Sequence, residues 1–224
     1  MLKFYYSLAP NPMKVALFLE EAGLPYEAIP VDTRKGEQHN PKFTALNPNA
    51  KVPVIVDGAD VVFDSNAILL YLAEKTGQFV PESRAQALSW LMFIASGIGP
   101  FCGQAVHFRN YAPEPNSYAI NRYMFEAKRH WAIVEAHLAK QSHMVGNTYS
   151  YVDMAFWGWA RLIPFVLGDD HAWEKYPNIK RLLDEISARP ATARALAIKD
   201  RHAFKTEFDD EARKHMFGHT VTAA

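Results

Sequence analysis

The rhythm of hydrophobic and polar positions changes once along the chain. Residues 2–6, rich in Phe and Tyr, predict a strand. In Pro10-Asn11-Pro12, Asn11 is a good N-cap and Pro12 a good first helical residue, because proline has no N–H to lose there. Val15, Leu17, Phe18, Leu19 and Ala22 then cluster with helical spacing, and Gly23 supplies the stop. Residues 26–32 predict a second strand, which Pro30 demotes to a sheet edge. An irregular stretch follows, with a short helix over 41–46. Residues 54–57 and 61–63 predict two strands joined at Asp57-Gly58, a hairpin signal. Ser65 then caps a helix over 66–75 that Gly77 ends. A strand-helix-strand unit followed by a hairpin implies a mixed sheet with helices on it.

From Arg84 onward strand signals almost vanish. Helical patterns run over 84–110, 117–140, 151–167, 179–188 and 191–199. The chain therefore divides into an α/β domain over residues 1–77, a linker over 78–83 and an all-helical domain over 84–224. The charged tail from Asp200 onward is weakly periodic, and two fates stay open: folded over the body, or loose.

Composition narrows the function. Lys+Arg and Asp+Glu are 24 each, so there is no basic excess to neutralise phosphates or to hold a membrane surface. Neither a nucleic-acid partner nor a membrane is expected. No stretch reads as the roughly 20 apolar residues of a bilayer span. The single cysteine, Cys102, excludes an intrachain disulfide and CxxC-type metal sites. Residues 1–6 lack the apolar core of a signal peptide, so a reducing, cytoplasmic setting is expected.

Three segments can carry chemistry. In Lys51-Val52-Pro53-Val54, a proline after a turn and before a strand is a candidate cis bond, which leaves the Val52 backbone open to an extended peptide ligand; the alternative is an ordinary loop proline. Ser65 at a helix start can bind a carboxylate, and Asp64 an ammonium, a pair that suits an α-amino acid head group; the alternative is simple capping. Asn11 can donate to an anion such as a thiolate, or merely cap.

These three segments, in this order, resemble the cytosolic glutathione transferase superfamily. Ser150-Tyr151-Val152-Asp153 is similar to the family's N-capping box, flanked by Tyr149 and Met154 where its hydrophobic staple lies. Within the superfamily the chain looks most like the bacterial Nu class, with fungal prion-related transferases as close relatives. The supporting stretches include Lys35-Gly36-Glu37-Gln38, Gly99-Pro100-Phe101-Cys102-Gly103-Gln104, Tyr118-Ala119-Ile120-Asn121-Arg122-Tyr123 and Arg189-Pro190-Ala191-Thr192.

The resemblance implies an α/β thioredoxin-like N-terminal domain followed by an all-α helical bundle domain. It also implies a site for glutathione as co-substrate, with no metal. Asn11 would face the sulfur as the catalytic residue. Gln38 and Lys51 would approach the glycyl end, Val52 would pair with the cysteinyl part across the Pro53 bend, and Asp64 with Ser65 would hold the γ-glutamyl head. Arg122 would reach into a partner subunit's site, making the active unit a homodimer. The expected activity is that of a glutathione transferase with disulfide reductase activity, acting on a disulfide or a small electrophile. The competing reading is a catalytically weak glutathione-binding or regulatory module. One departure feeds it: the Thr that usually stands two residues before the Asn is Ala9 here. Either Asn11 and the helix N–H groups suffice, or Ser7 substitutes; Ser7 also reads as an ordinary strand-end serine.

Other candidates are weighed against packing. Cys102 lies on an apolar helix face, where a thiol packs rather than reacts. His215 and His219 have the spacing of two metal ligands on a helix, but Gly218 interrupts it. Phe101, His107, Phe108, Tyr111, Trp157 and Trp159 line either a second-substrate pocket or the core.

Overall fold

The computed structural model describes residues 1–218. The chain forms two compact units, Met1–Leu72 with the segment from Ala191 onward, and Ala73–Pro190.

The first unit is built on a four-stranded mixed sheet in the order β2-β1-β3-β4. Strands β1 (Leu2–Tyr6) and β2 (Tyr26–Pro30) run parallel. A parallel neighbour requires a crossover, which helix α1 (Pro10–Ala22) supplies. Strand β3 (Val54–Asp57) lies antiparallel to β1 and turns back into β4 (Asp60–Phe63). The proline-ended β2 sits at the edge, as its missing N–H requires. Leu2, Phe4 and Tyr6 alternate along β1 and are buried. Tyr5, on the other face, tilts against Phe43 of the short α2 (Pro41–Thr44) and joins a small cluster with Val31, Val52 and Val54. Helix α3 (Ser65–Thr76) follows the hairpin and stops at Gly77, whose φ of 67° is open to glycine without strain.

The C-terminal segment resolves the two fates left open for it. It packs on the first unit, whereas the sequence pattern grouped it with the helical domain. Tyr6 Oη donates to the carbonyl of Ile198 at 3.1 Å and lies 3.0 Å from His202 Nδ1, with Phe204 edge-on to its ring. The Lys205 N–H donates to Asp32 Oδ2 at 2.7 Å, and Arg34 donates to the carbonyls of Lys205 and Thr206. These partners are hydrogen bonds and one buried ring, which carry no helical periodicity for a sequence to display.

The second unit is helical. Helices α4 (Arg84–Phe93) and α5 (Gly99–Asn110) are continuous through a π-helical turn, Ile94–Ile98. By length and mean hydropathy (1.3 over its best window), this Arg84–Asn110 helix passes for a bilayer span, which corrects the expectation that no such stretch exists. One stripe of it serves packing: Ala87, Leu91, Ile94, Ile98, Cys102 and Ala105 recur every three or four positions and are all buried. Helix α6 (Ser117–Leu138) packs along α5. The expected helix over 151–167 is two, α7 (Tyr151–Ala160) and α8 (Ile163–Leu167). Pro164 lacks the N–H that would continue the ladder to Ala160. Helix α9 (Pro177–Ser187) packs on α6 and α7, and α10 (Pro190–Leu196) leads into the returning segment. The Ser150–Asp153 capping box at α7 is complete: Val152 donates to Ser150 Oγ at 3.3 Å, and Ser150 N donates to Asp153 Oδ2 at 2.8 Å.

Candidate functional site

Two helix starts meet in the first unit. At the first, Pro10 opens α1 and Ala9 occupies the cap position with no side-chain cap bond. Asn11 is therefore the second helical residue rather than the N-cap expected from residue preference. Pro10 and Pro12 both lack an N–H, so the start of α1 presents fewer backbone donors than an ordinary helix end. Asn11 is half-buried there. The Ser7 hydroxyl accepts from Ala9 N at 3.4 Å, a turn contact, and Ser7 is buried.

At the second start the cap is Asp64 rather than the Ser65 expected from the sequence. Asp64 has a φ of 72° and its Oδ1 accepts from Asn66 N (2.9 Å) and Ala67 N (3.2 Å), so Asp64 is the cap. Ser65 is the first helical residue and is buried, which releases its hydroxyl from capping duty. Beneath it lies Lys14, on the same helix as Asn11 and only 1% exposed. Its Nζ donates to Ser65 Oγ at 3.4 Å and to Asn66 Oδ1 at 3.5 Å. Burial pulls the Lys14 ammonium down to about 7, with Asp64 acting in the opposite sense. Lys14 thus ties the two helix starts together, and the sequence reading passed it over. The available signal was a lone lysine inside the buried run Pro12 to Leu19.

The third segment enters β3. The Val52–Pro53 bond is cis. The Val52 backbone makes no hydrogen bond among the described residues, so its N–H and C=O are open for pairing. Asn47 Nδ2 donates to the Lys51 carbonyl at 2.7 Å and fixes the approach to this bend, while the Lys51 side chain is exposed.

Gln38 lies in a single 3₁₀ turn, Glu37–His39. Its Nε2 donates to the His215 carbonyl at 3.2 Å, on helix α11 (Asp210–Phe217), and its buried Oε1 has no hydrogen-bond partner. The His215 ring lies over Gly36, so a side chain at 36 would collide with it. His219, the other half of the candidate ligand pair, lies outside the described residues. Among the described residues no group of three or more His, Cys, Asp or Glu could hold a metal ion.

Arg122 lies on α6 of the second unit, half-exposed, with Nη1 2.5 Å from Glu126 Oε1. Arg129 and Arg122 together hold the Glu126 carboxyl below the usual carboxylate range. Cys102 is fully buried, and desolvation pushes its thiol well above the ordinary range, which fits packing and removes it as a nucleophile. Of the aromatic candidates, Trp157 is core, Phe108 stacks on Tyr123 at 5.4 Å, and Phe101 packs against Tyr123 and His130.

Known proteins share this fold. Residues 9–75 match the model for the glutathione S-transferase N-terminal domain and residues 107–197 that for the C-terminal domain. Disulfide-bond oxidoreductase YfcG of Escherichia coli is 39% identical over 213 residues, covering 88% of this chain and 94% of its own. Its compatriot YghU, also named a disulfide-bond oxidoreductase, is 36% identical, covering 84% and 72%. A glutathione transferase structure from Burkholderia graminis with two glutathione molecules bound per subunit superposes with a TM-score of 0.82 at 37% identity, covering 90% of this chain and 89% of that one. One from Pseudomonas putida, with a glutathione disulfide bound per subunit, gives 0.81 at 34% identity, covering 88% and 91%. With a mixed four-stranded sheet, a cis-proline before β3 and a capping-box helical unit, the chain belongs to the cytosolic glutathione transferase superfamily.

Proposed function

We propose that the protein is a glutathione-dependent disulfide reductase of the cytoplasm, active as a homodimer. The observation that carries this reading is the pair of helix starts, Asn11 on α1 and Asp64-Ser65 on α3, tied through Lys14. Together with the unpaired Val52 backbone they form donors and acceptors in the order a γ-glutamyl-cysteinyl peptide needs. Asn11 donates to the sulfur. Val52 pairs with the cysteinyl main chain. Ser65 and the α3 N–H groups hold the γ-glutamyl carboxylate, and exposed Asp64 its ammonium. Gln38 and Lys51 serve the glycyl end, and Arg122 serves the site of a partner subunit. Bound glutathione supplies the thiolate, and two of them with one disulfide yield two thiols and glutathione disulfide. With Cys102 buried and its thiol raised, the protein contributes no redox sulfur of its own. The disulfide-bond oxidoreductase names of two relatives and the glutathione disulfide in one neighbour structure support the same direction.

The test is a two-substrate assay with glutathione and either 2-hydroxyethyl disulfide or an aryl halide. Turnover of the disulfide well above that of the halide is expected. Asn11→Ala should lower disulfide turnover by about 10²-fold, the order of one lost donor to a developing charge, and Cys102→Ala should leave it unchanged. Glutathione retained without turnover of either substrate would instead identify a binding module, the reading that Ala9 favours. Full disulfide activity in Asn11→Ala would remove Asn11 from the sulfur.

A further inference from the structure

We propose that Lys14 is a positioning residue of this site that takes up a proton from solvent when the γ-glutamyl carboxylate docks at the start of α3, becoming that carboxylate's buried counter-charge. The proposal rests on the glutathione reading above and adds to it a group no ligand touches directly.

The geometry is that of a cation kept without an anion. Lysine is almost never fully buried unless paired, yet Lys14 is 1% exposed and its Nζ contacts only the uncharged oxygens of Ser65 and Asn66. Those contacts, at 3.4 and 3.5 Å, are long beside the roughly 2.7–2.9 Å of a charge-assisted bond. Ser65 and Asn66 belong to α3, and Asp64 in the turn before it is the one charged group whose field reaches Lys14 among the described residues. The Asp64 carboxylate is exposed and turned to its capping bonds with Asn66 and Ala67. Its charge offsets less than burial of the ammonium costs, so the amine is held near 7.

Ser65 is the relay. Its oxygen accepts from Lys14, so the hydroxyl hydrogen points elsewhere and can donate to a carboxylate. A ligand carboxylate on that hydroxyl places a full negative charge one bridging oxygen away from Nζ. Opposite charge at roughly 4–6 Å favours the charged form. The amine lone pair then takes a proton from the buffer, and no other bond changes. Lys14 also sits one turn after Asn11 on α1, so the same event tightens α3 against the helix that carries the sulfur donor.

The experiment is calorimetric titration of the full chain with S-methylglutathione, which has no thiol proton to release, in phosphate and in Tris buffer at pH 8 and pH 6. The difference in apparent enthalpy between buffers counts protons. With an ammonium titrating at about 7, roughly nine in ten Lys14 amines are neutral at pH 8 before binding. Net uptake of at least about half a proton per subunit is expected at pH 8, and little at pH 6, where the group is already charged. Lys14→Arg, charged throughout, should bind without uptake at either pH. Lys14→Met should lose the uptake and bind at least about tenfold more weakly. Binding to the native chain with no uptake at pH 8, or uptake that persists in Lys14→Arg, overturns the role of Lys14 while leaving the glutathione site standing. No binding of S-methylglutathione to the native chain overturns the glutathione reading itself.

Discussion

Folding titrates Lys14 as well as hiding it. Burial holds its ammonium near 7 in the native chain against an ordinary value of 10.5. Between those values the unfolded state binds more protons, so stability rises with pH through that window and is lower below it. Comparing the pH 7.5 and 9.5 unfolding free energies of the native chain with those of Lys14→Met should show an excess slope in the native chain of up to about 1.4 kcal/mol per pH unit. Equal slopes would mean that Lys14 keeps its proton when buried. At the level of single residues the composition of the site was legible and the division of labour was not. Asn, Asp and Ser near helix starts are evident from type. Which of them holds the cap depends on contacts that type does not reveal: Asp64 Oδ1 accepts from Asn66 N and Ala67 N and so frees Ser65, and Pro10 begins α1 one residue before Asn11. Lys14 escaped notice because its role arises from contact with residues 51 and 52 positions away.

Among elements, the joined α4–α5 helix shows why a regular pattern can conceal a local departure. Its apolar stripe continues without a break across the π turn Ile94–Ile98, so the sequence reads as one helix over 84–110. The inserted turn accommodates His130 of α6. A Cβ on Gly97 would lie 2.5 Å from His130 Nε2, and that ring is flanked by Phe93 at 5.0 Å and Phe101 at 4.9 Å, with Nδ1 2.7 Å from the Glu126 carbonyl. The ring has nowhere to move cheaply. Gly97→Ala should therefore destabilise the chain by about 1–3 kcal/mol, the range for overpacking a filled core, read as a lowered denaturant midpoint with unchanged slope. A neutral result would show that the histidine can swing aside. By contrast, the α7 capping box was legible in full, because Ser150 and Asp153 satisfy each other three residues apart and need no distant partner.

On the scale of the whole molecule, the order of strands and helices follows from the alternation of patterns, and the return of the C-terminal segment does not. The bonds that hold it link Tyr6 with Ile198 and His202, Asp32 with Lys205, and Gln38 with His215, separations no local rhythm records. A chain ending at Leu196 should lose at least about 3 kcal/mol from the first unit, given removal of the buried Ile198 and of the cover on Tyr6. Hydrogen exchange should then accelerate at β1 and β2 and stay unchanged at α6 and α9; uniform acceleration would mean that the two units unfold as one. There is also a consequence in time. The first unit joins residues 1–72 to the segment from 191 onward, with residues 73–190 inserted between them. At about 5–20 residues per second of synthesis, its sheet waits several seconds or more for its last partners. During that wait the Tyr6 hydroxyl and the Asp32 carboxylate stand without their eventual partners from the C-terminal segment. Strands β1 and β2 are thus most vulnerable until residues 191–218 are made, and synthesis of that later segment, rather than of the strands alone, closes the first unit.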